Sequence, residues 1–356
     1  MTDNLKRGNA GAASLVEVWR GPIVESRHNG HLVAVDGNGT LTASLGSPDT
    51  VTYIRSSGKP FQAIPLITSG SADRFGFNKQ EIAIACGSHS GEPQHVETVR
   101  SMLRKIDLDE NALQCGVHEP FSIDAARELV RKQQPPGVLQ NNCSGKHAGM
   151  LALAKHLGAP IETYLEPSHP VQQSILAAVS LFARVPAGSI VIGVDGCTAP
   201  VFGISVHSMA LMYARLCCPP EEFEPQLRRA CERIVAAMID FPEMVGGATD
   251  RLDTELIKAG EGRLISKIGA EGVYTVGVRP CERWPQGLGL ALKIEDGDDR
   301  RARPPAVLEA LRQLGIIGDV PALSSYSSIA ITNRRGQPVG YARAAFELQF
   351  KKSQIT

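Results

Sequence analysis

Apolar positions recur at intervals of three and four residues in five stretches in the middle of the chain. These stretches are 92–105, 123–133, 146–157, 170–184 and 222–239, and each predicts an amphipathic helix. Strand-like patterns flank them at 32–45, 189–194, 272–278 and 287–294, and a helix at about 304–315 precedes two terminal strands near 328–333 and 338–347. Strands at both ends of a helical middle predict an α/β protein with one mixed sheet and an inserted helical lobe.

The hairpin and the domain limits follow from local composition. Asp36-Gly37-Asn38-Gly39, within 32–45, supplies the residues that adopt the positive φ angles of a tight hairpin turn. Residues 1–13 are mostly polar or small, and we expect a flexible tail there. No repeat, low-complexity tract or linker interrupts the remainder. We therefore predict a single domain of two lobes over residues 14–350.

Charge and cysteine content narrow the functional classes. Lys and Arg number 37, and Asp and Glu also number 37. This balance gives no attraction to nucleic acid or to an anionic membrane, so a small-molecule partner is expected. The chain shows neither the apolar run of a membrane span nor the apolar core of a signal peptide. Its 8 cysteines lack the spacing of a disulfide scaffold, so we expect a cytoplasmic protein whose important thiols bind metal or act as nucleophiles.

Ser56 and Lys59 form the first candidate for catalysis. They stand three apart at the start of an apolar helical pattern, so the amine is expected one turn above the hydroxyl on the same helix face. A serine nucleophile needs a base, and lysine serves only where burial or a nearby cation keeps it neutral. The alternative is a serine N-cap followed by an exposed lysine.

Two further segments offer hydroxyl, imidazole and amine groups. Ser88 and His89 lie in a loop of small residues before Glu92-Pro93, where either side chain could act on a bound amide. That loop could equally be a capping loop whose hydroxyls satisfy backbone donors. Lys267 lies on an apolar strand-and-turn segment. It is either a solvated edge lysine or, in an apolar cleft, a neutral general base.

A thiol, an amine and an imidazole occur close together in Cys143-Ser144-Gly145-Lys146-His147. A second group, Asp195-Gly196-Cys197, follows a strand whose pattern indicates burial, a common place for functional residues. Cys143 and Cys197 could meet as zinc ligands only through tertiary folding, because no CxxC pair marks a site. Otherwise both cysteines are small apolar residues of the core.

Taken together, these segments resemble the rhizobial-type, thermolabile L-asparaginases. The resemblance rests on seven short motifs that occur in family order over roughly residues 14 to 347: Arg55-Ser56-x-x-Lys59-Pro60, Ser88-His89-Ser90, Asn142-Cys143-Ser144-Gly145-Lys146-His147, Asp195-Gly196-Cys197, Pro242-Glu243-Met244-Val245, Lys267-x-Gly269-Ala270 and Lys293-Ile294-Glu295-Asp296-Gly297. It implies a fold similar to serine β-lactamases and serine-dependent glutaminases, and a homodimer. It also implies two Ser–Lys pairs, Ser56 with Lys59 and Ser88 with Lys267.

The resemblance further implies a zinc site and a substrate site. The expected zinc ligands are Cys143, Lys146 and Cys197, and the residues expected to hold the charged α-groups of asparagine are Arg55, His147 and Asp195. Gly58 and Gly87 stand where related sequences can carry alanine, a small chemical change. The stretch 246–253 does not match the substrate loop of the family, so fine specificity is left open.

The implied reaction is hydrolysis of L-asparagine to L-aspartate and ammonia through an acyl-enzyme. Ser56 is the favoured nucleophile, and backbone N–H groups near Ser56 or Ser88 are expected to stabilise the oxyanion. Other serine amidohydrolases remain alternatives, among them a glutaminase. A penicillin-recognising hydrolase would usually add Ser-Asp-Asn and Lys-Thr-Gly elements, which this sequence lacks. A non-catalytic zinc-binding or amino-acid-binding protein would bind these ligands without releasing ammonia.

Overall fold

The computed structural model describes residues 11–351. Its strands are β1 (Ala13–Arg20), β2 (Ile23–Asp36), β3 (Leu41–Leu45), β4 (Val51–Tyr53), β5 (Val191–Val194), β6 (Pro200–Ser205), β7 (Leu264–Ile268), β8 (Val273–Val278), β9 (Leu288–Ile294), β10 (Ser328–Thr332), β11 (Pro338–Ala344) and β12 (Gln349–Phe350). Its α-helices are α1 (Lys59–Gln62), α2 (Ile64–Thr68), α3 (Ser71–Arg74), α4 (Lys79–Ala85), α5 (Pro93–Lys105), α6 (Ile123–Arg131), α7 (Ser144–Leu157), α8 (Pro170–Ala183), α9 (Val206–Cys217), α10 (Pro225–Asp240), α11 (Pro242–Val245), α12 (Leu252–Ala259), α13 (Arg303–Gln313) and α14 (Ser324–Ser327). Residues 1–10 of the predicted tail lie outside the described residues, and β1 already begins at Ala13.

The described chain divides into two compact units, and the first contains residues 11–54, 204–218 and 259–351. Nine of its strands form one sheet with the neighbour order β10-β11-β1-β2-β9-β8-β7, in which β3 also pairs with β2 and β12 pairs with β3. Each ladder of this sheet is antiparallel, whereas the sequence interpretation expected a mixed sheet. The reason for the difference is that an apolar pattern identifies a strand without specifying the direction of its neighbours.

Helix α9 packs closely on this sheet, against β2, β8 and β9. A Cβ atom at Gly289 would lie 1.8 Å from the carbonyl oxygen of Ala210, so a side chain cannot be accommodated there. Gly277 is the cross-strand partner of Gly289, and a Cβ at that position would lie 2.6 Å from Cys217 Sγ. Two glycines facing each other on neighbouring strands therefore let the backbone of α9 approach the sheet.

The second unit contains residues 55–203 and 219–258 and is mainly helical. Helix α4 packs against α5, α7 and α10, and α2 packs against α8 and α10. The ring of Phe182 contacts Phe61 and Phe223, with centroid separations of 5.2 and 5.1 Å. Residues 144–154 of α7 are all buried, which is typical of a helix in the middle of a core. This buried helix carries several of the predicted site residues.

The α/β class with a helical lobe is confirmed, and the five predicted central helices correspond to α5, α6, α7, α8 and α10. The predicted hairpin is the β2–β3 pair. In its turn, Asp36 Oδ1 accepts hydrogen bonds from the backbone N–H groups of Asn38 and Thr40, and Gly39 has a φ of 89°. Within residues 11–351, no helix combines the length and apolar character needed to cross a bilayer.

Candidate active site

Residues 86–92 connect α4 to α5, and we call them the Ser88 loop. The Ser88 side chain is buried, and its backbone N–H donates a 2.8 Å hydrogen bond to the carbonyl oxygen of Val245. A Cβ atom at Gly87 would lie 2.4 Å from the carbonyl oxygen of Met244. The loop therefore passes so close to residues 244–245 that only glycine fits at position 87, and alanine there is not the small change that the sequence comparison implied.

The bond to Val245 also bears on the expected oxyanion site. The N–H group of Ser88 was one of the donors proposed for stabilising the oxyanion, but it is already bonded to a backbone carbonyl. A donor in such a bond is not free to bind a developing negative charge. The Ser88 N–H therefore anchors the loop, and stabilisation of the oxyanion by other backbone N–H groups near Ser56 or Ser88 stays a prediction.

The amine of Lys59 contacts Ser88 and two backbone carbonyl groups. Its Nζ atom lies 2.9 Å from Ser88 Oγ, 2.7 Å from the Gly87 oxygen and 3.3 Å from the Asn142 oxygen. Within the described residues, its hydrogen bonds do not include Ser56, although Ser56 is three residues earlier in sequence. The reason is tertiary, because a fully buried amine takes its acceptors from whichever loops surround it. Lys59 therefore pairs with Ser88 rather than with Ser56.

The surroundings of Lys59 favour its neutral form. Lys59 is 1% exposed, and this burial lowers the pKa of its amine, with the nearby charge of Lys146 acting in the same direction and that of Cys143 opposing it. A neutral amine has two N–H groups and one lone pair. Carbonyl oxygens only accept hydrogen bonds, so the two N–H groups are taken up by Gly87 and Asn142. The lone pair then faces the Ser88 hydroxyl, which is the arrangement of a base beside a nucleophile.

Ser56 lies in a short 3₁₀ turn, Arg55–Gly58, that leads into α1. Ser56 is partly exposed. Arg55 has a φ of 51°, a left-handed conformation that costs a non-glycine residue on the order of 1 kcal/mol or more and is often found at functional sites. Its guanidinium donates to Asp195 Oδ1 from Nη2 at 2.9 Å and from Nε at 3.1 Å.

Asp195 also accepts a 2.7 Å hydrogen bond from the N–H of Gly196. Burial alone would raise the pKa of Asp195, but the charges of Lys146 and Arg55 outweigh it, and the pKa is lowered. The aspartate is therefore ionised at neutral pH. The Arg55–Asp195 pair is only partly buried, with 24% and 15% of the side chains exposed. The pair places a cation and an anion side by side, and an α-amino acid carries two groups of the opposite charges, an α-carboxylate and an α-ammonium.

Cys143, Lys146 and Cys197 come together, and we call them the thiol–amine cluster. Lys146 Nζ lies 2.9 Å from Cys197 Sγ. A hydrogen bond between the two thiols lowers the pKa of Cys143 well below its ordinary value and raises that of Cys197. Burial opposes a charge on Lys146, but the sulfur charges of Cys197 and Cys143 outweigh burial and raise its pKa. The two cysteines predicted to meet through tertiary folding do so.

This cluster fits a zinc ion by the chemistry of its donors. Two sulfur atoms and one amine are the nitrogen and sulfur ligands that Zn²⁺ prefers, with a fourth position left for another ligand. The third donor is a lysine. Within the described part of the chain, no three His, Cys, Asp or Glu side chains form a group that could hold a metal. Lysine binds a metal only as the free amine, so binding would release a proton.

His147 follows Lys146 on α7 and is fully buried. Burial lowers the pKa of His147 to about 4, so the ring is neutral at neutral pH. Its Nδ1 atom lies 2.7 Å from the hydroxyl of Tyr164, which itself accepts a 3.0 Å hydrogen bond from the N–H of Gln114. The other ring nitrogen, Nε2, is buried without a hydrogen bond of ordinary geometry, and the ring also interacts with Cys197 of the thiol–amine cluster.

His89 connects the Ser88 loop to the start of α7. Its Nδ1 accepts a hydrogen bond from the N–H of Gly91, so a neutral ring carries its proton on Nε2, which donates to Ser144 Oγ at 2.9 Å. Ser144 in turn donates to the carbonyl oxygen of Leu139. Burial, followed by the charges of His95 and Lys59, lowers the pKa of His89 well below its ordinary value. His89 is therefore a neutral structural link rather than an acid or base.

Lys267 lies in the other unit, on β7, where it is completely buried and donates to the backbone oxygen of Ile268 at 3.1 Å. It is therefore not a solvated edge lysine. Its pairing with Ser88 stays a prediction.

The sequence analysis did not predict two residues of the site, Tyr164 and Arg251. Tyr164 lies between α7 and α8 in a stretch without periodicity, and nothing local indicates that its hydroxyl reaches His147. Arg251 lies within 246–253, the stretch that matched no family loop. Its guanidinium donates to the backbone oxygen of Ser88 at 2.7 Å and to Ser90 Oγ at 2.8 Å. In the sequence, the mismatch with the family loop is the one feature that sets this stretch apart.

Comparison with known proteins identifies a family model that matches most of the chain. The protein-family model described as L-asparaginase II matches residues 16–344. No curated protein sequence is significantly similar. A solved structure described as Mglu is 16% identical, covers 89% of this chain and 75% of its own, and has a TM-score of 0.42. A probable glutaminase from Bacillus subtilis complexed with 6-diazo-5-oxo-L-norleucine is 11% identical, with coverages of 81% and 84% and a TM-score of 0.39.

Proposed function

Because this chain belongs to the L-asparaginase II family, we propose that it hydrolyses L-asparagine to L-aspartate and ammonia, with Ser88 as the nucleophile and Lys59 as its base. The observation that carries this proposal is the position of the Lys59 amine. It is buried, its N–H groups are directed at two carbonyl oxygens, and it lies 2.9 Å from Ser88 Oγ.

The first half of the reaction forms an ester. Lys59 Nζ accepts the hydroxyl proton of Ser88 while Oγ attacks the carbon of the substrate's side-chain amide. The resulting ammonium of Lys59 returns this proton to the amide nitrogen as the carbon–nitrogen bond breaks, and ammonia leaves. A β-aspartyl ester of Ser88 remains, and Lys59 is again neutral.

The second half consumes water. Neutral Lys59 accepts a proton from a water molecule, whose oxygen attacks the ester carbon. The proton then goes to Ser88 Oγ as the carbon–oxygen bond of the ester breaks, and L-aspartate is released. One base therefore serves both steps, because each step ends with Lys59 in the form in which it began.

The charged α-groups of the substrate require an anion and a cation. We propose that Asp195 binds the α-ammonium group and Arg55 the α-carboxylate. Their mutual ion pair keeps both side chains ionised and in place before substrate arrives. The Nε2 atom of His147, buried without a hydrogen bond of ordinary geometry, is proposed to donate a hydrogen bond to the same amino acid.

Zinc, when bound, would be held by Cys143, Lys146 and Cys197, where it would supply positive charge that neutralises the two thiolates. Lys59 interacts with Cys143, so this neutralisation removes a charge that otherwise favours the ammonium form of Lys59. Ser56 and Lys267 are the remaining members of the two Ser–Lys pairs that the resemblance implies, Ser56 with Lys59 and Ser88 with Lys267, and their roles stay predictions. We also propose a cytoplasmic homodimer, for which light scattering of the purified protein is the measurement.

A coupled ammonia assay on asparagine and glutamine, with and without zinc, tests the function. We expect asparagine to be preferred, although one methylene is usually worth only about 1–3 kcal/mol of discrimination. Ser88→Ala should lose ammonia release, and Ser174→Ala is the matched control, because the Ser174 hydroxyl donates to the Pro170 oxygen within α8. The proposal fails if Ser88→Ala keeps the parent rate. Binding of asparagine without ammonia release by the parent protein would support the non-catalytic alternative.

A chemical label identifies the nucleophile independently of turnover. The diazoketone analogue of asparagine, one methylene shorter than 6-diazo-5-oxo-L-norleucine, forms a covalent bond with an activated hydroxyl. Peptide mapping by mass spectrometry should place this label on Ser88. A label on Ser56 would instead restore the nucleophile that the sequence favoured.

A further inference from the structure

We propose that Arg251 is a positioning residue that holds the Ser88 loop in its reactive geometry. This inference rests on the proposed function, because it takes Ser88 as the nucleophile. It assigns a role to residues 245–251, which we call the bracing segment and most of which lie in the stretch that matched no family motif.

The bracing segment contacts the Ser88 loop at its start and at its middle. The carbonyl oxygen of Val245 accepts the N–H of Ser88 at 2.8 Å, and the carbonyl oxygen of Gly246 accepts the hydroxyl of Ser90 at 3.1 Å. A Cβ atom at Gly247 would lie 2.3 Å from Ser90 Oγ and 2.8 Å from Ser90 Cβ, so the Ser90 side chain packs directly against the Gly247 backbone. The two segments are therefore packed together over several residues.

A third contact extends to the end of the loop. Glu92 immediately precedes α5, and its Oε1 accepts a 3.0 Å hydrogen bond from the N–H of Ala248. The loop is thus attached to the bracing segment at Ser88, Ser90 and Glu92, on both sides of His89. A displacement of the bracing segment would move all three attachment points together.

Arg251 completes this arrangement with two bonds from one planar group. Nη2 donates to the backbone oxygen of Ser88 at 2.7 Å, and Nη1 donates to Ser90 Oγ at 2.8 Å. A guanidinium can make both bonds at fixed relative positions, whereas a lysine ammonium is a single point charge on a flexible stem. The Ser88 backbone is thereby held on its N–H side by Val245 and on its carbonyl side by Arg251. This fixes the peptide units from which the Ser88 side chain projects.

The surroundings of Arg251 argue against a direct role in binding the substrate carboxylate. Its side chain is 13% exposed, and the carboxylate of Asp253 lies 4.0 Å away and offsets its charge. The Phe121 ring lies 6.0 Å from its guanidinium carbon. Arg55 in the same unit is more exposed, with 24% of its side chain accessible, so it is the better candidate for the substrate. Arg251 acts through the loop.

The test compares Arg251→Met and Arg251→Lys with Arg233→Met. Arg233 lies on α10 and pairs with Asp73 at the surface, so it controls for loss of a surface-paired arginine in the same unit. The concentration of folded enzyme is normalised by labelling with the diazoketone analogue. We expect both Arg251 variants to lose kcat for asparagine by on the order of 10- to 100-fold, since a displacement of about 1 Å costs about that much, while KM stays within about twofold and Arg233→Met matches the parent.

A double-variant cycle adds a readout that loss of stability would not produce. If Arg251 acts partly through Ser90, then adding Ser90→Ala to Arg251→Met should lower kcat by less than Ser90→Ala does alone. Independent effects that simply multiply would overturn the inference. So would a kcat within about twofold of the parent in both Arg251 variants, or a raised KM with unchanged kcat, which would indicate substrate binding. Absence of ammonia release by the parent enzyme would instead refute the proposed function.

Discussion

Gly87→Ala is the substitution for which sequence and structure predict opposite outcomes. By sequence it is a small change. In the structure, the new Cβ would lie 2.4 Å from the Met244 oxygen and 3.2 Å from the Cα and oxygen atoms of Val245. Real Cβ contacts are essentially never shorter than 3.0 Å, so the backbones must separate by at least 0.6 Å. Because Ser88 N–H bonds to Val245 at 2.8 Å, the same movement stretches that hydrogen bond.

Both the free energy of unfolding and kcat should fall in the Gly87→Ala variant. Forcing an extra methyl group into a packed site costs about 1–3 kcal/mol, and a buried amide deprived of its acceptor costs about 1–3 kcal/mol more. We therefore expect Gly87→Ala to lower the free energy of unfolding by roughly 2–5 kcal/mol. The Gly87 oxygen also orients the Lys59 amine, so kcat for asparagine should fall by on the order of 10- to 100-fold.

Urea unfolding and steady-state ammonia release measure the two effects. Gly149→Ala is the matched control, because Gly149 lies in α7 and a Cβ there would meet only Leu66 Cδ2 at 3.4 Å and Ala85 Cβ at 3.5 Å. That contact is ordinary, and alanine is favoured over glycine inside a helix by about 0.5–1 kcal/mol, so the control should be at least as stable as the parent. A Gly87→Ala enzyme with parental stability and kcat would refute the packing argument.

Three further predictions concern separate groups. Because burial lowers the pKa of His89, the unfolded chain binds more protons below about pH 6.5, and His89 should make urea stability fall by up to about 1.4 kcal/mol per pH unit on acidification. His89→Gln should show a shallower loss between pH 7.5 and 5.5, and an equally steep one would contradict this. Elemental analysis should find roughly one zinc per chain in the parent and far less in Cys197→Ser, with Cys231→Ser as the control. Asp195→Asn should raise KM for asparagine by about 10- to 100-fold, since a hydrogen bond to a charged group is worth about 1.5–3 kcal/mol; an unchanged KM would exclude the proposed ammonium contact.

The fold was predictable wherever one face of an element is buried. Helices such as α5 and α10 have the apolar stripe that sequence reveals. Helix α9 was missed, because 11 of its residues are buried and it therefore lacks a polar face to create a period. Strand β1 was not predicted, and its first residue, Ala13, was assigned to the tail, since the place of β1 between β2 and β11 is determined by long-range pairing. Periodicity therefore identifies amphipathic elements more readily than fully buried ones, although it did identify the buried helix α7.

The sequence predicted which residues belong to the site better than it predicted which of them touch each other. Ordered motifs identified Lys59 and Ser88, but local spacing paired Lys59 with Ser56. The actual contact of Lys59 with Ser88 joins residues 29 apart in sequence, and its contact with Asn142 joins residues 83 apart. Spacing along a helix predicts neighbours only when no buried polar group elsewhere competes for the bond. The prediction that Lys59 pairs with Ser56 fails because three oxygen atoms from other loops surround the buried amine.

Two lysines with nearly the same local sequence show why those distant contacts decide the chemistry. Lys59 ends Ser56-Ser57-Gly58-Lys59, and Lys146 ends Cys143-Ser144-Gly145-Lys146. Both amines are buried near the start of a helix. Around Lys59 three neutral oxygen atoms lie within hydrogen-bonding distance, and the charges of Cys143 and Cys197 do not offset the cost of desolvation, so the pKa of Lys59 is lowered. Around Lys146 the charges on sulfur outweigh that cost and its pKa is raised. The same burial therefore produces a base in one place and a cation or metal ligand in the other, because the partners differ.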